Sequence, residues 1–577
     1  MTAEPAAERG TAMPQAGGGL DLSLPILVAV SLLLLALVVL PMAWLVAYAF
    51  AGPDGAPTLG NFVTIFNDPA FQGPLVTTLT IAASVGVACC LVAAPMGWLV
   101  ARSDMPCRDA VRTLVTASFV TPPFLGAIAW ELLAAPNSGL LNQAWRAVTG
   151  APPDFALLNI YTLQGVVFVI ACYTFPYVFV LVANALERIP GELEDASAML
   201  GAPPAVTARR ITVPLALPAL LAGLLIAFLQ AMNLFGSPAI LAIPAGFHTM
   251  TTKIWSLFQF PPKPELAAAA ALPLLVLTVV LLRAQQTVLG RRSYAVVGGK
   301  YGAPRPVPLG GWRWPALGFC LVVLAMPVFL PYAALLNAAL SQNPTEIVSL
   351  ATLSLQHVHF TFVELSQTWS VMWNTFLLGG LSATAGTLLA LLIAYTTARR
   401  AIRGAQYLGF LATAPIAIPG IVLGVGLFLA YTRPPLVLYG TLWILLIAYV
   451  TIELPAAYQQ LQSAFQALNP ELEEASRILG ATRLRSLRDI TVPLLRSGVI
   501  ATWCFIFVAV IRELSAAAIL FTSDTKVLSV LIFDLKESGD LGAIAVLGLM
   551  MLLLTALVVA VAARLGGSRS AAMQGRG

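Results

Sequence analysis

The chain has 577 residues, 59% of them hydrophobic and 10% charged, with a mean hydropathy of +0.87. Soluble domains carry about 25% charged residues, so a soluble enzyme, a fibrous protein, a disulfide scaffold and a nucleic-acid binder are all excluded. The net charge of +5 is no nucleic-acid footprint, because in membrane proteins Lys and Arg gather on the cytoplasmic side and their distribution is what informs.

Residues 1–22 read as a disordered cytoplasmic tail with no basic n-region or cleavage site. Apolar runs of about 18 residues or more, each able to cross a hydrocarbon core of about 30 Å, then recur along the chain. They predict twelve spans, at roughly 23–50, 76–101, 112–133, 160–185, 212–235, 266–288, 314–340, 371–398, 407–430, 437–462, 494–520 and 539–565. The expected fold class is an all-α polytopic membrane protein. Cys89, Cys90, Cys172, Cys320 and Cys504 fall in apolar runs and Cys107 in a short basic loop, so no structural disulfide is expected. With both termini in the cytoplasm, 24 Lys and Arg lie inside. Only Arg146, Lys253, Lys263, Arg433, Lys526 and Lys536 lie outside, and Arg512 sits within a span.

The chain repeats itself. Residues 192–215, ELEDASAMLGAPPAVTARRITVPL, align without gaps on 471–494, ELEEASRILGATRLRSLRDITVPL, with 14 of 24 positions identical and an offset of 279. Earlier in each half, Ala101-Arg102 matches Ala398-Arg399 and Pro122 matches Pro419 at an offset of 297. The 18-residue difference is assigned to a longer exterior loop in the first half, near 134–160. The domains expected are a six-helix half at 23–290, a cytoplasmic linker at 291–313, a second six-helix half at 314–566 and a cytoplasmic tail at 567–577. Parallel repeats are arranged around an axis along the membrane normal, which puts a solute path between the halves.

Both repeated segments fall in the cytoplasmic loop between the fourth and fifth spans of their half. Asn469-Pro470-Glu471 is an N-cap followed by proline at the first helical position. Glu471, Glu473 and Glu474 load the helix N-terminus with the charge its dipole favours. Leu472, Ala475 and Ile478/Leu479 recur at helical spacing, and Gly480 ends the helix. In the first copy Pro190, Leu193, Ala196, Met199/Leu200 and Gly201 play the same parts.

The pattern resembles the signature loop of ABC-importer permeases: Glu-Ala-Ala, three residues, Gly, nine residues, Ile, any residue, Leu-Pro. Asp195-Ala196-Ser197, Gly201, Ile211 and Val213-Pro214 match its spacing, and so do Glu474-Ala475-Ser476, Gly480, Ile490 and Val492-Pro493. The departures are Asp for Glu, Ser for Ala and Val for Leu. The resemblance covers essentially the whole chain and implies two tandem type I importer permease (MetI-like) halves. It also implies that Glu194, Asp195, Ala196, Ser197, Gly201, Glu473, Glu474, Ala475, Ser476 and Gly480 couple the spans to an ATPase.

The implied partners are two copies of a cytoplasmic ABC ATP-binding subunit, a periplasmic or lipid-anchored solute-binding protein and the bilayer, with no nucleic acid. ATP and Mg belong to the partner ATPase, and no cofactor, metal or catalytic residue is expected in this chain. The nearest thing to a Walker A loop, Gly298-Gly299-Lys300-Tyr301, has Tyr294 in place of the first Gly and Tyr in place of Ser/Thr. The place implied is the bacterial inner membrane.

Arg512 and Glu513 are adjacent opposite charges inside a span, where exposure to lipid is costly. Counting along the eleventh span places them in its outer third. They pair with each other or with neighbouring spans, or they line the solute path or gate. The run Arg512-Glu513-Leu514-Ser515-Ala516 is similar to a stretch in fused ferric-iron permeases, and Asn233-Leu234-Phe235-Gly236-Ser237-Pro238-Ala239 to its first-half counterpart. Asn233, Phe235, Gly236, Ser237, Arg512, Glu513 and Ser515 are therefore the candidate path residues. Ferric iron is the solute the resemblance favours; aminoethylphosphonate, thiamine and polyamine permeases share the architecture. A secondary transporter driven by protons or sodium is the rival, with Glu453 as its embedded carboxylate. His357 and His359, spaced as on one face of a strand, read as a solvated loop. Thr121-Pro122-Pro123 and Ile418-Pro419-Gly420 are expected to kink their spans, and Trp312, Trp314 and Trp369 to anchor span ends.

Overall fold

The computed structural model describes residues 23–52, 54–291, 306–349, 351–399, 404–469 and 471–567. Both expected tails, apart from Gly567, most of the linker, and Pro470 lie outside the described residues. Helix α1 (Leu27–Ala49) and α2 (Pro69–Arg102) precede a pair, α3 (Arg108–Ser118) and α4 (Pro123–Ala134), bent by 102° at its junction. Next come α5 (Leu163–Glu187), the loop helix α6 (Gly191–Met199) and α7 (Ala208–Asn233). Two short helices, α8 (Gly236–Leu241) and α9 (Met250–Ser256), lead to α10 (Pro264–Thr287).

The second half runs through the same sequence of shapes. It has α11 (Gly310–Leu340), α12 (Thr368–Ala398), and a pair bent by 110°, α13 (Ala405–Ala417) and α14 (Gly420–Tyr431). Then follow α15 (Leu442–Gln466), the loop helix α16 (Glu471–Ile478) and α17 (Arg488–Arg512). Short helices α18 (Ala517–Leu520) and α19 (Leu528–Ser538) lead to α20 (Leu541–Ala562). Among the described residues, ten helices are long and apolar enough to cross a membrane, or twelve if each bent pair is one span.

The third and ninth spans are thus broken outright where only kinks are expected. Pro122 and Pro419 sit in extended backbone, with ψ of 135° and 143°, immediately before the second helix of each pair. Each lacks an N–H, and its ring drives the preceding residue out of the helical region. Expected spans five and eleven also end sooner than their hydropathy suggests, at Asn233 and Arg512. Glu513 stops the second of these: its carboxylate accepts from Ala516 N at 3.0 Å and Ala517 N at 3.2 Å, capping the turn that follows.

Within each half, the second span packs on the fourth and fifth: α2 on α5 and α7, α12 on α15 and α17. The first span of each half lies against the sixth of its own half and reaches across to the other. Helix α1 packs on α10 and α14, and the far part of α11 packs on α20 and α4. Trp130 Nε1 donates to Met326 O at 3.1 Å on one side of the join, and Tyr431 Oη donates to Ala36 O at 2.9 Å on the other. The 18-residue surplus of the first half falls between α4 and α5, where a helix over Leu140–Thr149 is inserted. Asn142 holds it by donating to Ala135 O and Leu158 O, each at 2.8 Å.

Gly426 marks the closest approach of α14 to α1: a Cβ there would lie 2.8 Å from Met42 Cε and 2.9 Å from Pro41 O. Gly426→Ala should therefore destabilise the protein by about 1–3 kcal/mol through overpacking. Gly380→Ala, where nothing lies within 4 Å, should leave stability unchanged or raise it by up to about 1 kcal/mol. Unfolding midpoints of the two purified variants in detergent check this.

Candidate functional site

The two loop helices are pinned by the same three residues. Glu194 Oε1 accepts from Arg102 Nη2 at 2.9 Å and from Thr212 Oγ1 at 2.9 Å. Glu473 Oε1 accepts from Arg399 Nε at 3.1 Å and from Thr491 Oγ1 at 2.8 Å. The arginine ends the second span and the threonine begins the fifth, so one carboxylate ties the loop to both. Arg102 is fully buried, and its Nε and Nη1 have no other partner.

Asp195, Ala196 and Ser197 continue α6, and Ser197 Oγ bonds Thr207 Oγ1 at 2.8 Å. Glu474, Ala475 and Ser476 continue α16. Gly201 and Gly480 end the helices at φ of 78° and 89°, with open space around each. Glycine is needed there for the left-handed backbone, and not for room. The backbone turn is the same in both copies, with Ala202 N donating to Ser197 O and Ala481 N to Ser476 O, each at 3.1 Å. Beyond the pins the loops end in bare apolar tips: Leu200 and Leu479 are each 88% exposed, and Met199 and Ile478 nearly as much.

The second site lies between the halves. Arg512 Nη1 donates to the carbonyl of Phe119, at the break between α3 and α4. No ion pair joins Arg512 to Glu513 among the described residues; Tyr177, Glu453 and Tyr332 lie within electrostatic reach of Arg512. Tyr332 bonds Thr121 Oγ1 at 2.6 Å, and Phe119 meets Tyr177 edge-on at 4.7 Å. The cluster therefore takes Phe119, Thr121 and Tyr177 from one half and Tyr332, Glu453 and Arg512 from the other.

The first-half candidates are packed instead. Phe235 is wholly buried against Trp255 and, across the join, Phe533. Ser237 Oγ donates to Pro123 O at 2.8 Å, and a Cβ on Gly236 would lie 2.7 Å from that of Phe124. Asn233 ends α7, with Thr278 Oγ1 3.5 Å from its Oδ1. Ser515 lies beside Gly420 at the second break.

His357 and His359 lie on a helical turn, Gln356–His359, and not on a strand, because residues 356–364 coil continuously. His359 pairs with Glu364 at 3.1 Å, while His357 packs against Gly542. The two rings do not converge. Among the described residues no three His, Cys, Asp or Glu side chains gather in a group that could hold a metal ion.

Sequence reading missed Arg102, Arg399, Thr212 and Thr491 as parts of the loop site. The signal was present, since each pair recurs at the repeat offset, but basic residues at span ends are equally explained by orientation. Thr121, Tyr177 and Tyr332 carry no such signal.

A chain of two tandem six-helix halves, each presenting a pinned loop helix to one side, has the architecture of the membrane-spanning component of a transport system. The family model of the binding-protein-dependent transport system inner membrane component matches residues 93–293 and 386–568, and the chain belongs to that family. It is a multi-pass protein of the inner membrane. The ferric transport system permease protein FbpB of Actinobacillus pleuropneumoniae is 28% identical over 450 residues, 76% of this chain. The chain spans only 63% of that relative. A relative from Salmonella paratyphi A, named for a 2-aminoethylphosphonate transport system permease, PhnV, is 26% identical over 232 residues, covering 40% of this chain and 86% of its own length. A solved bacterial ABC transporter for the acidic polysaccharide alginate overlaps 47% of this chain and 95% of its own, with a TM-score of 0.39 and 19% identity. That overlap is too slight to inform the arrangement described above.

Breaking a buried ion pair leaves an uncompensated charge and costs about 3–5 kcal/mol. Arg102→Met should therefore loosen α6, and Arg399→Met should loosen α16 to a similar degree, because the carboxylates left unpaired, Glu194 and Glu473, are 17% and 14% exposed. Amide hydrogen exchange is the measurement, with α6 of the first variant speeding up by about ten-fold or more.

Proposed function

We propose that this chain is the permease of an ATP-driven, binding-protein-dependent importer, with both transmembrane halves in one polypeptide, and that its solute is ferric iron. The observation that carries the reading is the pair of loop helices with bare apolar tips, each pinned by the same arginine–glutamate–threonine set. An ATPase pair built from two copies of one subunit needs two such docking points. Loops α6 and α16 face the cytoplasm in this reading, as do both termini, in keeping with the Lys and Arg distribution. ATP and Mg are held by the partner subunits, and the solute arrives on an exterior binding protein.

The mechanism is alternating access. When the ATPases close, each loop helix moves. Its glutamate, held by Arg102 and Thr212 or by Arg399 and Thr491, passes the motion to two spans at once. The bond from Arg512 to Phe119 and the contact of Thr121 with Tyr332 cross between the halves, so both break when the centre opens. Arg512 thus serves as a latch between the halves, and Glu513 as the cap that fixes its backbone. Support for iron comes from the resemblance of the 512–516 and 233–239 runs and from the ferric-permease relative.

The test is ATP hydrolysis in proteoliposomes with the ATP-binding subunits, with and without ferric-loaded binding protein. Wild type should be stimulated, and Leu200→Asp/Leu479→Asp should not, since a carboxylate on each exposed tip spoils docking without disturbing the fold. Stimulation only by binding protein loaded with aminoethylphosphonate, thiamine or a polyamine overturns the iron assignment. Uptake driven by an ion gradient with no ATPase bound overturns the importer itself.

A further inference from the structure

A third contact between the halves lies toward the end opposite the loop helices. Glu131 on α4 is paired with Lys536 on α19 of the other half, Nζ to Oε1 at 2.6 Å. Tyr161 Oη donates to the same Oε1 at 2.6 Å. The Glu131 side chain is only 9% exposed, and its second oxygen, Oε2, is buried with no partner.

The duplication supplies an internal control. Thr78 Oγ1 accepts from Met250 N and Thr375 Oγ1 from Leu528 N, both at 2.8 Å, so α9 and α19 correspond with a shift of 278. Shifts of 297 and 278 carry Glu131 onto Phe428 and Phe258 onto Lys536. Those counterparts also meet across the join: Phe258 and Phe428 lie edge-on at 5.2 Å, and Tyr439 takes the place of Tyr161 at 5.0 Å from Phe428. One geometry thus occurs twice, once sealed by aromatic rings and once by a buried ion pair.

An aromatic pair that parts exposes only apolar faces. Parting the ionic pair is different, because it removes the one cation that compensates a deeply buried carboxylate. We propose that Glu131 and Tyr161 form a single reception site for a cationic solute at the outer mouth, in which the Lys536 ammonium stands in for that cation while the halves are closed. The two groups offer oxygen donors, which suit a hard cation, and the unpaired Oε2 is the spare acceptor. The proposal rests on the importer reading and on the ferric assignment.

The experiment uses the full importer in proteoliposomes, with ferric-loaded binding protein as the probe, reading radioactive iron uptake and basal ATP hydrolysis together. Glu131→Gln and Tyr161→Phe should lower uptake, the former by about ten-fold or more, while Lys536→Met keeps uptake within about two-fold and raises basal hydrolysis. The swap Glu131→Lys/Lys536→Glu should return hydrolysis to its basal level without restoring uptake, because the seal is remade while a lysine now occupies the reception site. Co-purification of the ATP-binding subunits shows that each variant has assembled. If the swap restores uptake as well, the pair is a seal alone and the site is overturned. Uptake unchanged in Glu131→Gln, with wild type importing iron, overturns the site and leaves the ferric reading intact. Wild type importing an anionic solute and no iron overturns both.

Discussion

Inside a bilayer every backbone N–H and C=O must be satisfied by protein, since lipid offers no partner. The prolines at 122 and 419 break that rule in the middle of two spans, and much of the structure follows from how the breaks are made good. At the first, Arg512 donates to Phe119 O from the other half, while Ser237 braces the start of α4 through Pro123 O. A broken span of this kind is not stable alone in lipid. It obliges the two halves to stay together, and it brings a polar side chain into the centre with them. The charge at 512 is thus tolerated because a freed carbonyl stands opposite it.

The loop site works by a related economy. A short helix of eight or nine residues has little stability of its own, and α6 buries none of its side chains. What holds it is one carboxylate shared between the end of α2 and the start of α7, with the Ser197–Thr207 bond beside it. On the importer reading, a helix tied in this way to two spans would act as a lever, displaced as a unit only together with both. The left-handed glycines at 201 and 480 keep its far end compact, so the apolar tips stand clear of the membrane-facing body.

The repeat, the loop helices and the helical class were legible because each is written in local sequence: 3.6-residue spacing, capping residues, and near-identity of 192–215 with 471–494. The broken spans were half legible. Prolines 122 and 419 mark the places, but hydropathy counts apolar residues and is blind to direction, so 112–133 and 407–430 read as continuous. For the same reason Arg512 read as lying within a span when it ends one. The partners of the functional residues were out of reach for a different reason. Arg102 lies 92 positions from Glu194, and Lys536 lies 405 from Glu131; nothing short of the packing of the halves brings either pair together.

Duplication then allows conserved and diverged contacts to be compared inside one molecule. On the loop side the copies share their pins: arginine, glutamate and threonine recur, and so do the two turns, although the Ser197–Thr207 bond has no counterpart at Ser486. Hydroxyls also tie the turns after α7 and α17 alike, Thr251 to Leu234 O at 3.0 Å and Ser529 to Glu513 O at 2.6 Å. Toward the centre and the far end they part company. Arg512-Glu513 stands where the first half has Asn233-Leu234, and the Glu131–Lys536 contact has Phe428 with Phe258 as its counterpart across the join. Fused halves are free to diverge wherever nothing requires two equal surfaces. A pair of identical ATPase subunits would require equality on the loop side, whereas a single solute passing between the halves requires none. On the importer reading proposed above, the gradient of likeness from loop to far end would follow the direction of transport, with the solute-facing chemistry in the residues where the copies disagree.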